Sequence, residues 1–404
     1  MKFSLTIILF LFCQIASSQN TIKSECDRLA AAYLKNSPGA LTIGICDKGS
    51  KQIFYYGETE KSNNTLPDSN SIFEIGTLTE AFTCILFADR TLKGIMHIDD
   101  KLQDYLPVSV PSPIYQPVVC KPVDDSKDYY SYPDDKNMRI KIKPYLCTPD
   151  TTFQPQPIIL CYLASHTSGL PNLPFNFSSK NKMNPYADYT SENLYKFLNN
   201  YELDKSIGFH YSYSEIGIAL LGLAISRKMN KDYDSILIKN FLDTMKMNDT
   251  RIHLSINQNK RLLQGYSENG LKTVPWTADV FASVVGLKTT PSDMMKFISQ
   301  NISVEKNYLT NLLNYTHNSR LKPGGLFDEN LEIAMGWKII PLGIESQKIV
   351  MQSGMTGGFA AFAGFVETSH TAVFVLSSVS RDVNEIGVDV LKTIELNSMK
   401  QQIK

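Results

Sequence analysis

The chain has 404 residues, of which 43% are hydrophobic and 20% charged, a balance that supports a sizeable core and excludes disordered and fibrous classes. Lysine plus arginine equals aspartate plus glutamate at 40 each, so no long-range field draws the protein to nucleic acid or to an anionic membrane. A small-molecule or peptide-like partner fits this balance, and no nucleic-acid partner is expected.

Along the chain, Lys2 precedes an apolar run from Leu5 to Phe12, and Ala16, Ser17 and Ser18 follow. This basic, apolar, small-residue order predicts a signal peptide over residues 1–18 and an exported protein, periplasmic or secreted. Cys13 follows the bulky Phe12 rather than a small residue, which argues against lipidation there. No later stretch approaches the roughly 18 apolar residues of a membrane span.

From Thr21 to Leu34 apolar residues recur at helical spacing, and Pro38-Gly39 stops the pattern. Leu41 to Cys46 and Gln52 to Tyr56 read as a hairpin across Asp47-Lys48-Gly49, and Glu80 to Lys93 as a helix ended by Gly94. Residues 107–157, rich in proline and without a period, predict a long inserted loop. Cys120 and Cys147 flank its most polar part, so a disulfide between them is the favoured pairing, whereas Cys46 and Cys84 lie in apolar surroundings that suit buried thiols. Helical patterns follow from Ile158 to Asn314. Strands are then predicted at Lys348–Gln352, Phe359–Val366 and Thr371–Ser378, with a helix from Val383 to Leu396. The reading is α+β: one domain over residues 19–404, with an antiparallel sheet lobe from both chain ends (about 21–76 and 330–404) and a mainly helical lobe (about 77–329).

The most informative segment runs Phe73-Glu74-Ile75-Gly76-Thr77-Leu78-Thr79-Glu80-Ala81-Phe82-Thr83, a strand-like approach, a glycine, then a helix. Backbone N–H groups are free at such a helix start, which suits a nucleophile or an oxyanion. Thr77 to Glu80 also fits a capping box, T-x-x-E, with a purely structural job.

The segment resembles F-x-I-G-S-x-[ST]-K-x-F-T, the nucleophile motif of the serine β-lactamase and penicillin-binding-protein family (class C-type β-lactamases, D-Ala-D-Ala peptidases and related esterases). Thr77 stands in place of the nucleophilic serine and Glu80 in place of the lysine that helps deprotonate it. Residues 207–222 resemble P-G-x-x-[FY]-x-Y-S-N-x-G…L-L-G, with Tyr213 on the general-base tyrosine and Glu215 on the asparagine that reads substrate amides. Gln352-Ser353-Gly354-Met355-Thr356-Gly357-Gly358-Phe359 resembles the K-T-G or H-x-G segment, placed by the family on an edge strand, with Gln352 replacing the cation. The resemblance implies an oxyanion hole from the N–H groups of Thr77 and Met355, with Gly354 retained among the oxyanion and substrate-binding residues. It extends through Ser165-His166-Thr167-Ser168-Gly169-Leu170-Pro171, Asn184–Thr190 and Thr290–Met295, and so covers about residues 38–396. It implies a β-lactamase/transpeptidase-like fold without a metal or cofactor, and gives His166 a structural role. His97, His210, His253, His317 and His370 show no partner pattern and read as surface or packing residues.

An active site of this family surrounds one hydroxyl with cations. Here Glu80 and Glu215 add negative charge, and nearby carboxylates push a phenol such as Tyr213 away from phenolate. The expectation is an exported, β-lactamase-related protein that is degenerate toward β-lactams and D-Ala-D-Ala peptides but retains a ligand cleft. The alternative is an active esterase, amidase or peptidase with Thr77 as nucleophile and Tyr213 as base.

Overall fold

A computed structural model describes residues 21–122, 129–131, 140–142, 145–320, 330–344 and 346–402; the expected signal peptide lies outside them. Helix α1 covers residues 21–34. Strand β1 (Ala40–Asp47) turns through Lys48 and Gly49, both left-handed at φ 48° and 88°, into β2 (Ser50–Gly57), a turn whose twist matches that of paired strands. Short β3 (Phe73–Glu74) leads through a 3₁₀ turn (Gly76–Leu78) into α2 (Thr79–Leu92). Residues 79–90 of α2 are all buried, so it forms the axis of the helical lobe rather than a surface helix.

Among the described residues, the expected loop 107–157 holds three short antiparallel ladders. β4 (Ile114–Tyr115) pairs with β9 (Gln156–Pro157), β5 (Val118–Pro122) with β8 (Tyr145–Pro149), and β6 (Tyr129–Ser131) with β7 (Ile140–Ile142). Cys120 and Cys147 stand opposite each other in the β5–β8 ladder and are disulfide-bonded. Every residue of β5 and β8 is exposed; a strand wet on both faces needs no apolar alternation, which is why no period marks it.

The helical lobe continues with α3 (Leu160–Ala164), α4 (Ser191–Asn200), α5 (Glu215–Met229), α6 (Tyr233–Leu237), α7 (Ile256–Asn259) and α8 (Ala282–Val285). Residues 165–190 and 246–281 are mostly irregular, less helical than their apolar spacing predicts. β10 (Lys288–Thr289) pairs with β3, and α9 (Pro291–Asn301) and α10 (Tyr308–His317) follow. The chain closes with β11 (Glu332–Ile333), β12 (Lys338–Pro341), β13 (Lys348–Met355), β14 (Ala360–Val366), β15 (Thr371–Ser377) and α11 (Asn384–Gln402).

The main sheet has the order β11-β12-β13-β14-β15-β1-β2, so both chain ends meet where β1 pairs with β15. Alternation divides its two faces. Leu41, Ile43, Met351, Phe362, Val373 and Val375 pack in one core with Ile22, Leu29, Val390 and Ile394 of the terminal helices. Val350, Ala361, Phe365, Phe374 and Leu376 point the other way, into the core of the helical lobe. Gln352 shares the parity of Val350 and therefore faces the helical lobe.

β13 lies inside the sheet, not at its edge, but β12 pairs only with residues 348–351 and leaves Gln352–Met355 bonded on one side, to β14. The exposed flank of that last half faces the 3₁₀ turn. His317 is a packing residue, buried against Trp337 and Phe365, and its ring has partners that no sequence pattern marks, Nδ1 2.8 Å from Glu367 and Nε2 2.9 Å from Asn301.

Candidate active site

Gly76 and Gly354 bring the 3₁₀ turn and β13 together. A Cβ on Gly354 would lie 2.2 Å from the Ile75 carbonyl oxygen and 2.5 Å from the Thr77 nitrogen, and one on Gly76 would lie 2.4 Å from the Met355 carbonyl oxygen. Backbone contact this close excludes any larger residue. Thr77 thereby meets β13, and its hydroxyl donates to the Ser353 carbonyl at 3.1 Å. The capping-box reading fails: Leu78, not Thr77, is the residue that precedes α2, and it makes no side-chain cap hydrogen bond.

Glu80 is the centre of the site. It lies in the first turn of α2, where a carboxylate is favoured by the helix dipole, and is fully buried. Tyr213 donates its hydroxyl to Glu80 Oε1 at 2.7 Å, and Gln352 donates its amide to Oε2 at 3.3 Å. His166 approaches the same oxygen with Nε2 at 3.5 Å. Its Nδ1 accepts the Ser214 backbone N–H at 3.2 Å, so the ring proton of the neutral form sits on Nε2, toward the carboxylate. A buried carboxylate is tolerable only with such donors. Glu80 and its surroundings are thus complementary: one acceptor group with donors around it.

Ser214 caps α5, its hydroxyl accepting the Gly217 N–H at 3.0 Å, which places Tyr213 just before the helix and Glu215 in its first turn. Glu215 accepts a hydrogen bond from Tyr186 at 2.7 Å. Burial, opposed by that bond and reinforced by the Glu80 charge, pushes its carboxyl up to about 7. Tyr213 is pushed far above the usual phenol range by burial first, then by the charges of Glu80 and Glu215, with Thr77 acting weakly in the opposite sense.

Thr77, Glu80, Tyr213 and Gln352 are therefore brought into one network, and Glu215 stands beside it behind Tyr186. Beside Thr77 a crevice of about 180 Å³ opens between Ser353, Gly354 and Met355 and the start of α11 at Asp382–Asn384. Met355 is 43% exposed at its mouth. Trp276 donates its indole N–H to the Met183 carbonyl at 2.9 Å and packs on Tyr186, forming an aromatic wall behind Glu215. Among the described residues no cluster of three or more His, Cys, Asp or Glu is placed to hold a metal ion, and no helix is long and apolar enough to cross a membrane.

Sequence reasoning missed His166 as a member of the site and did not single out Tyr186. His166 lies beside Ser165, Thr167 and Ser168 but pairs with none of them; its left-handed backbone (φ 53°) turns the ring toward Glu80 and against Tyr213, ring centres 4.7 Å apart. A Ser-His-Thr-Ser-Gly string carries no signal for that direction.

The three motif segments meet in one buried network between an antiparallel sheet and a helical lobe. The β-lactamase family model matches residues 26–388, and the chain belongs to that family. It is 20% identical to a β-lactamase of Providencia stuartii over 88% of this chain and 86% of that one. It is 23% identical to the D-alanyl-D-alanine-carboxypeptidase/endopeptidase AmpH of Escherichia coli K12, over 81% and 76% of the two chains. Among solved structures, a class C β-lactamase superposes with a TM-score of 0.71 at 18% identity over 92% of this chain and 95% of that one. A β-lactamase/D-alanine carboxypeptidase from Yersinia pestis does so at 0.70 and 22% identity over 92% and 97%.

Proposed function

We propose that the protein is an exported β-lactamase-family member that binds a ligand in its cleft and is degenerate toward β-lactams and D-Ala-D-Ala peptides. One observation carries this reading. The proton of Thr77 is held by the Ser353 carbonyl and that of Tyr213 by Glu80, so the tyrosine that would receive the nucleophile's proton is itself a donor. Nucleophilic catalysis needs the opposite arrangement, a base beside the hydroxyl. The Glu80 carboxylate, a Glu215 carboxyl that is partly ionised near neutral pH and a neutral Gln352 also disfavour an anionic substrate group, and loss of one oxyanion-stabilising group at such a site costs about 3 kcal/mol of transition-state stabilisation. The ligand this cleft suits is neutral or cationic. Exposure of the purified protein to a fluorescent penicillin is expected to leave its intact mass unchanged; an acyl adduct on Thr77 overturns the reading.

A second reading, an esterase, amidase or peptidase acting through Thr77, draws on the retained Thr77 hydroxyl and on the close packing of Gly354 against the Thr77 nitrogen. In it, Met355 and Thr77 supply the oxyanion N–H groups and a ligand that displaces Glu80 from Tyr213 frees the phenol to act. It requires that Thr77→Ala abolish turnover of small activated esters. Equal hydrolysis by parent and variant sinks it.

A further inference from the structure

Thr77 lies at the end of the sheet where β1 begins and β13 finishes. At the opposite end, the β1–β2 turn, the β14–β15 turn, the end of α9 and the start of α10 enclose a second hollow of about 800 Å³. The eight residues of β1 separate the two ends by roughly 24 Å at about 3.4 Å per residue, so this hollow is not part of the cleft.

Its floor is apolar. Cys46, Met245 and Ile302 line it and are each 7% exposed or less. Its rim is cationic: Lys48, Lys51, Lys246 and Lys296 surround it with His370, against one acidic lining residue, Glu305. Lys296 is neutralised by Asp293 at 2.7 Å. Among the described residues no carboxylate lies within ion-pair distance of Lys48, Lys51 or Lys246; Lys48 donates to the Ser398 hydroxyl at 3.5 Å and acts on the neighbouring Asp47 carboxyl only at longer range. In a chain with 40 residues of each sign, this excess is a local feature.

The backbone adds an independent observation. Among the described residues eight non-glycine residues have positive φ, and three of them, Lys48 (48°), Lys246 (55°) and His370 (56°), border this one hollow. Glycine or asparagine takes that conformation at lower cost, and a turn such as Lys48-Gly49 ordinarily favours asparagine at the first position. The rim thus carries cationic or titratable side chains at positions where the backbone disfavours them, and such strain gathers at binding sites.

A drug-sized volume with an apolar floor and a few converging polar groups is the usual form of a small-molecule site. A simple inorganic anion leaves the floor unused, and a neutral lipid leaves the lysines unanswered. We propose that this hollow binds an amphiphilic organic acid, its chain on Cys46, Met245 and Ile302 and its carboxylate between Lys48, Lys51 and Lys246.

The test is calorimetric titration of the full chain with dodecanoate, with dodecyltrimethylammonium and inorganic phosphate as controls. Saturable one-site binding of dodecanoate is expected, weakened about tenfold or more in the exposed-lysine variant Lys48→Glu/Lys51→Glu/Lys246→Glu, whose thermal unfolding checks that the fold is kept. If that variant does not fold, Lys51→Ala with Lys246→Ala replaces it, with a severalfold loss expected. Absence of saturable binding, unchanged affinity in the folded variant, or equal binding of the cationic amphiphile overturns the proposal. So does phosphate binding as tightly as dodecanoate, which reduces the site to a simple anion contact.

Discussion

Glu80 and Glu215 occupy adjacent places in the site and have opposite circumstances. Glu80 has three donors around it, Tyr213, Gln352 and His166, whereas Glu215 has Tyr186 and a carboxyl raised to about 7 from an ordinary 4.5. Between those two values the folded chain retains a proton that the unfolded chain has released. The stability this confers is complete below pH 4.5 and is lost as pH rises through 7, by about 3 kcal/mol. Glu215→Gln is expected to remove that slope and to raise Tm at pH 8 relative to the parent, while leaving Tm at pH 4 nearly unchanged. A parent protein whose Tm is level between pH 4.5 and 8 contradicts this placement of Glu215. At this scale the sequence was informative about identity and silent about direction. Residues 77, 80, 213, 215 and 352 could be named from motifs, but the orientation of His166 rests on its left-handed backbone and on the Ser214 N–H, neither of which a motif encodes.

The seam between the 3₁₀ turn and β13 sets the geometry of the cleft. It exists because β12 stops opposite Met351 and because neither Gly76 nor Gly354 has a side chain. Gly354→Ala is expected to cost about 3 kcal/mol in denaturant unfolding, since the clash is with backbone that cannot rotate away. Equal stability of variant and parent would show that the seam can open. Strands with one consistent pattern, such as β1, β14 and β15, were legible because both faces are buried and apolar residues dominate them. β11 and β12, of two and four residues, are too short for a period of two to be read. β5 and β8 were hidden for the reason that they bury nothing.

The two chain ends close one sheet, and among the described residues the ladders β4–β9, β5–β8 and β6–β7 are not part of it. Because β5 and β8 are wholly exposed, the Cys120–Cys147 bridge constrains these ladders and contributes little to the core. Cys120→Ser with Cys147→Ser is expected to shift Tm of the whole chain by less than about 2 °C and to speed protease cleavage within the ladders. A larger shift in Tm would show that the ladders support the core. The amphiphile site at the far end of the sheet belongs to the same scale, since its lysines come from the β1–β2 turn and from the segment before α7, about 200 residues apart in sequence. By itself the sequence pointed to the β-lactamase scaffold, named the residues at its motif positions and favoured the pairing of Cys120 with Cys147, because spaced motifs and local composition are one-dimensional signals. Only the tertiary structure decided that Glu80 gathers Tyr213, Gln352 and His166, that β13 is an edge for half its length, and that a lysine-rimmed hollow exists. Each depends on distances through space between residues that no local pattern relates.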